Sequence, residues 1–166
     1  MPTQDNLQAA FAGESQANRK YLAFAGKAEA EGFPQIAKLF RAAAAAETVH
    51  ALSHLRVMQG VADTKQNLQA AIDGEEHEFK EMYPAFIEIA EKEGNRAAVV
   101  SFRNANAVEK THFDLYSKAL ETLNAGKDLS PASIFVCDIC GHTHVGEAPD
   151  KCPVCGAPKT KFKVVA

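Results

Sequence analysis

NLQAAFAGE, at Asn6–Glu14, is written a second time as NLQAAIDGE, at Asn67–Glu75. Each copy runs on to a turn-like Glu-Gly (Glu31-Gly32 and Glu93-Gly94), then Phe-Arg (Phe40-Arg41 and Phe102-Arg103), then Glu-x-x-His (Glu47–His50 and Glu109–His112). Internal repetition on this scale sets the architecture before any local reading does. The copies are offset by 61 residues at Glu14/Glu75 and by 62 at Glu47/Glu109, so one residue has been inserted in the second. They agree best at residues able to bind metal.

Working outward from the repeat, the apolar spacing is helical throughout. Over residues 4–31, Leu7, Phe11, Glu14, Tyr21 and Ala25 recur at steps of three, four or seven and share a face. Glu31-Gly32-Phe33-Pro34 ends that helix, and Pro34 suits the first turn of the next. The second helix runs to about Gln59-Gly60, with Ile36, Phe40, Ala43, Glu47, His50, His54 and Val57 in line. After a short linker from Gly60 to Gln66, a third helix aligns Leu68, Ala71, Glu75, Glu78, Met82, Phe86 and Ile89. Pro84 lies inside it and predicts a kink or bulge, a natural place for the inserted residue. The fourth helix, Asn95 to Asn124, aligns Ala98, Phe102, Ala105, Glu109, His112, Tyr116 and Leu123. Four amphipathic helices of this length predict a mainly α fold, a four-helix bundle made from two helical hairpins.

Glu14, Glu47, Glu75 and Glu109 interrupt lines that otherwise hold core residues, and a carboxylate among core residues is costly unless something pairs with it. Two divalent cations would balance all four. Glu and His at i and i+3 project from one helical face, so each Glu-x-x-His can serve one cation. Glu-x-x-His alone is a weak motif, usually a solvated helix face. Here it occurs twice, at equivalent repeat positions. One Glu from each of two helices plus Glu-x-x-His from the other two is the donor set of di-metal carboxylate bundles. Oxygen-rich ligation favours iron or manganese over zinc or copper. Glu78 is a seventh candidate, on the face of Glu75, where the first copy has Ala17; the alternative is a solvated glutamate. Tyr21 and Tyr83 lie near the ligand faces, each as ready to satisfy a backbone carbonyl as to hydrogen-bond a ligand carboxylate. His54 reads as a hydrogen-bonded core histidine and His77 as a solvated one.

The last 32 residues change character after the Gly-, Pro- and Ser-containing stretch AGKDLSPASI. They predict a small module of short β-strands and loops, too small for a core without a staple. Cys137-x-x-Cys140-Gly and Cys152-x-x-Cys155-Gly supply it as a four-thiolate metal site. Zinc there would be structural, iron a one-electron carrier. His142 and His144 fall between the knuckles and outside an already full shell. The predicted domains are 1–125 and 134–166, joined by a linker at 126–133.

A net charge of −3 gives no electrostatic case for nucleic acid or anionic membrane. No apolar run approaches the roughly 18 residues of a membrane helix. The start MPTQDNLQ lacks a secretory layout, so a cytoplasmic location is the default. No phosphate-cradling or nucleotide motif occurs.

With these motifs in view, the chain resembles the rubrerythrin family over essentially its whole length. The resemblance is carried by GESQANRKY at 13–21, Glu47-x-x-His50, GEEHEFKEMYP at 74–84, Glu109-x-x-His112 and the tail CxxCG…CPVCGAPK. It implies a ferritin-like bundle with a non-haem di-iron centre and a rubredoxin-like tail with an iron in the Cys137, Cys140, Cys152 and Cys155 site. Glu47 and Glu109 would bridge the two irons, Glu75 and His112 would complete one, and Glu14 would bind the other. Glu78 and His50 would exchange at that second iron with its oxidation state, with Tyr21 and Tyr83 in attendance. The implied activity is peroxidase: hydrogen peroxide reduced to water, with electrons relayed through the four-cysteine iron from an outside donor, rubredoxin or an NAD(P)H-dependent reductase. The alternative is a non-catalytic iron-handling or electron-carrying protein, with or without ferroxidase activity. About seven extended linker residues span at most about 25 Å, against about 39 Å for a 26-residue helix. Since the topology the resemblance implies needs this connection to run back along the bundle, a domain-swapped homodimer is expected, one chain's first hairpin packing on its partner's second; an up-down-up-down monomer also fits the linker.

Overall fold

The computed structural model describes residues 1–165, which form two compact units, residues 1–62 and 63 onward. The first is a helical hairpin of α1 (Pro2–Ala30) and α2 (Pro34–Val57). Gly32 turns the chain at φ 83°, where a residue with a Cβ would be strained. The N–H of Phe33 then reaches back to the carbonyl of Ala28 at 2.9 Å, closing the helix end. The seam between α1 and α2 is built of alanine: Ala25 and Ala28 on one side, and Ala37, Ala44 and Ala51, seven apart, on the other, all buried. Small side chains let the two backbones approach. Buried Asn18 bridges them, its Nδ2 donating to the carbonyl of Ala44 at 2.6 Å and to Thr48 Oγ1 at 2.9 Å.

The second unit begins with α3 (Thr64–His77), capped by Asp63, whose carboxylate accepts from the Gln66 N–H at 2.8 Å. A π-helical turn, Glu78–Met82, leads into α4 (Tyr83–Lys92), and both pack on α5 (Arg96–Asn124). These helices are the four that the repeat predicts, the third being interrupted by the π-turn. The expected bulge is therefore present, just ahead of Pro84. The N–H of Tyr83 bonds the carbonyl of Glu78, five residues back, and Pro84 has no N–H to offer the carbonyl of Lys80. A π-turn is how a helix absorbs one extra residue without losing register, and this one lies where the repeat offset changes.

A second set of matches shows the restored register. Tyr21, Phe24 and Phe40 cluster with ring centroids 5.6–6.3 Å apart. Tyr83, Phe86 and Phe102, all 62 residues later, cluster at 5.6–6.2 Å. Arg41 pairs with Glu29, and Arg103 with Glu91. Each hairpin buries only its own seam, because two helices enclose one strip of surface. Ile36, Val57, Phe86, Ile89 and Tyr116, which helical spacing placed on inward lines, are exposed.

The tail carries β1 (Ile134–Cys137), β2 (Thr143–Val145), a 3-10 turn (Lys159–Lys161) and β3 (Phe162–Val164) in an antiparallel sheet of order β2-β1-β3. The register sets Val136 opposite Thr143 and Cys137 opposite Phe162. Within this unit the sheet meets α5: a Cβ at Gly141 would lie 3.9 Å from Val108, a buried residue beside Glu109.

Candidate metal centres

The two knuckles bring four sulfurs together. Cys137 Sγ and Cys155 Sγ lie 3.8 Å apart, Cys140 Sγ and Cys152 Sγ 3.5 Å. A tetrahedral ion with metal–sulfur bonds of about 2.3 Å sets its sulfurs about 3.8 Å apart, so the spacing fits. Gly141 and Gly156, both at positive φ, let each knuckle turn back, their N–H groups meeting the carbonyls of Cys137 and Cys152. Burial pushes the thiols of Cys140 and Cys155 up, with neighbouring sulfurs adding to it. Burial opposes ionisation of Cys152 too, but the N–H groups of Cys155 and Val154 hold it below its ordinary value. Four crowded thiols cannot all ionise without a cation among them. This thiolate set suits zinc or iron.

Each helical hairpin holds a second kind of cluster. In the first, Glu14 from α1 and Glu47 and His50 from α2 bring one donor atom each within 4.8 Å of the others. Their hydrogen bonds, from His50 above all and then with Glu14, hold Glu47 below the usual carboxylate range. In the second, Glu75 from α3 and Glu109 and His112 from α5 do the same. Here burial, followed by the charge of Glu109, pushes Glu75 up to about 7. His112 Nδ1 lies 2.9 Å from Glu109 and 3.4 Å from Glu75. His50 Nδ1 lies 2.9 Å from Glu47. Two carboxylates and one imidazole per hairpin are a hard, oxygen-rich donor set that fits iron or manganese. Crowding that raises one carboxyl beside another is what a divalent cation between them relieves.

Glu78 is half-buried at the start of the π-turn and stands outside the three-donor cluster. Burial first, and then the charge of Glu109, raises it. Tyr83 is raised by burial first and then by the charges of Glu109, Glu78 and Glu75. Tyr21 packs against Phe24 and Phe40. His54, in the last turn of α2, joins no cluster among the described residues, and His77 pairs with Glu81 on an exposed face. Among the described residues, neither ring nitrogen of buried His142 has a hydrogen-bond partner, and His142 and His144 both lie outside the sulfur cluster.

Sequence reading missed Thr143, whose Oγ1 lies 2.9 Å from His112 Nε2. Nothing local flags it, since 31 residues separate the pair. It also missed the two aromatic clusters, for which the 62-residue offset was an available signal.

Two carboxylate–histidine clusters on helical hairpins and a four-sulfur knuckle pair define a non-haem metalloprotein that combines a ferritin-like with a rubredoxin-like part. Residues 5–120 match the Rubrerythrin family, and residues 135–163 match its rubredoxin-like domain. The chain belongs to the rubrerythrin family. It is 35% identical to Rubrerythrin-2 of Clostridium acetobutylicum over 97% of its own length and 95% of that protein's. To nigerythrin of Nitratidesulfovibrio vulgaris it is 39% identical, covering 96% and 85%. A solved structure of nigerythrin in a mixed-valence state superposes with a TM-score of 0.59, at 38% identity, over 98% of this chain and 86% of that one. Rubrerythrins are oxidoreductases of oxidative stress with a di-iron site and a tetrathiolate iron site, and this chain carries donor clusters of both kinds. Among the described residues, no helix is long and apolar enough to cross a membrane.

Proposed function

We propose that this chain is a peroxidase that reduces hydrogen peroxide to water, its helical metal centre re-reduced through its own four-cysteine iron. The observation that carries the reading is the pairing of matched Glu–Glu–His clusters with a four-sulfur cluster in one chain. The reaction consumes one H₂O₂, two electrons and two protons and yields two waters. Two ferrous ions, when bound, would supply the Lewis acidity that holds both peroxide oxygens and the two electrons that break their bond.

The protein's residues have distinct tasks. Glu14, Glu47, Glu75 and Glu109 balance the charge of two divalent cations, and His50 and His112 add a neutral donor to each. Glu47 and Glu109, each beside a histidine of its own cluster, would be the carboxylates the two cations share. Glu78 and His50 would each be able to hold the cation on the Glu14 side, a role favoured by an exposed His50 bonded only through Nδ1 among the described residues. Tyr83 donates a hydrogen bond to the carboxylates around it and steadies them; Tyr21 has the matching task in the first copy. Cys137, Cys140, Cys152 and Cys155 would hold an iron, whose chemistry there would be single-electron transfer from rubredoxin or an NAD(P)H-dependent reductase. The active form is a homodimer in which the first hairpin of one copy packs on the second of the other. Its support is the short connection between α2 and α3 and the apolar face each hairpin leaves exposed.

The test is anaerobic peroxide consumption by iron-loaded protein with an artificial electron donor. Steady turnover supports the reading. Loss of turnover when the helical sites carry zinc, with the thiolate-bound iron retained, supports it further. A fully iron-loaded protein that consumes no peroxide would defeat it.

A further inference from the structure

Among the described residues, His112 is held at both ring nitrogens, whereas its repeat partner His50 is held at one. Nδ1 of His112 faces Glu109 and Glu75, while Nε2 meets Thr143 Oγ1 at 2.9 Å. The His50 side chain is 55% exposed against 25% for His112. The difference arises because β2 of the rubredoxin-like module lies against α5, with Gly141 over Val108 and Thr143 over His112.

From this we infer that Thr143 is a positioning residue for the Glu75–Glu109–His112 cluster. Its hydroxyl fixes the His112 ring with Nδ1 toward the carboxylates and ties the cysteine module to that cluster. The inference rests on reading the cluster as a metal site. A neutral imidazole has one N–H and one lone pair. Coordination through Nδ1 uses the lone pair there, so the proton sits on Nε2 and is donated to Thr143. In a metal-free neutral ring that donates Nδ1–H to Glu109, Nε2 is bare and the hydroxyl of Thr143 is the donor. A backbone carbonyl could serve only the first state. A hydroxyl serves both by rotating, so metal capture requires a proton to change nitrogens and the ring stays in place. Partners on the far nitrogen of a ligating histidine set its tautomer and orientation in this way.

Thr143 also suits its post structurally. It is a β-branched residue in a strand, paired with Val136 and three residues beyond Cys140. Valine keeps that shape without the hydroxyl, and serine keeps the hydroxyl.

The test compares full-length wild type, Thr143→Val and Thr143→Ser, each with zinc in the four-cysteine site. Mn(II) binding to the helical sites is followed by electron paramagnetic resonance. Expected for Thr143→Val is a roughly 10- to 100-fold weakening of one of the two Mn(II) sites, with the other unchanged and Thr143→Ser within about threefold of wild type. In the metal-free proteins, the ¹⁵N signal of His112 Nε2 should shift in Thr143→Val and return in Thr143→Ser. Wild-type affinity in Thr143→Val, or a serine variant as weak as the valine one, would overturn the inference and leave the metal-site reading standing. A wild type with no helical Mn(II) would overturn both.

Discussion

Tyr83 occupies in the second hairpin the place Tyr21 occupies in the first, although seven residues separate Tyr21 from Glu14 and eight separate Tyr83 from Glu75. The π-turn at Glu78–Met82 absorbs the difference and brings Glu78 beside the carboxylates. Deleting the exposed Glu81 should therefore convert the turn to α-helix with the downstream register intact. Circular dichroism should show helix content kept, while the displaced Glu78 should lower peroxide turnover about tenfold or more, by loss of positioning. Loss of the fold would show that the turn is required for more than placing Glu78.

Glu78 has no acidic counterpart in the first copy, and it lies outside the three-donor cluster. Glu78→Ala is expected to keep full iron content, since His50 can hold the same cation, and to lose about tenfold or more in turnover. Iron analysis beside peroxide assays separates the two. Unchanged turnover at full iron would remove Glu78 from the mechanism.

The raised carboxyl of Glu75 gives the metal-free protein a pH dependence of definite sign. Its folded pKa of about 7 exceeds the ordinary 4.5, so the folded state holds its proton more tightly than the unfolded chain. That contribution is complete below pH 4.5 and is lost as pH rises through about 7. Glu75→Gln, a permanently neutral mimic, should melt above metal-free wild type at about pH 8, with the gap closing toward about pH 5. Melting curves across that range check it, and iron loading should reverse the order by giving the carboxylate a cation.

The mirrored ion pairs Arg41–Glu29 and Arg103–Glu91 catch the eye but sit in water, with the Arg41 and Glu29 side chains 48% and 60% exposed. Arg41→Ala should cost less than about 1 kcal/mol. Ala44→Leu, by contrast, forces three more carbons and extra bulk into a seam where Ala44 is 1% exposed. It should cost about 1–3 kcal/mol or more, and the two melting temperatures should separate accordingly.

Much of this was legible in the sequence because two periodicities coincide. Helical spacing put Glu14, Glu47, Glu75 and Glu109 on apolar lines, and the repeat showed that His50 and His112 follow at matched places. The cysteine knuckles carry their own spacing. Pro84 announced the interruption but not its form, since a missing N–H can produce a kink or a π-turn. Burial was harder to read: Ile36 and Phe86 follow the helical period, yet a two-helix seam lined with alanine encloses neither. Thr143 was invisible because its partner is 31 residues away on another element. Contacts set by module packing leave no period to read.

The most direct test of the electron relay follows the Fe–thiolate colour of fully reduced, iron-loaded protein after adding two equivalents of H₂O₂ per chain, enough to draw on the thiolate-bound iron as well as the helical pair. Expected is prompt return of the colour in wild type and a return at least about tenfold slower in Glu109→Gln, which lacks a carboxylate of the helical centre. Equal rates in the two proteins would show that peroxide oxidises the thiolate-bound iron directly, and would contradict the relay.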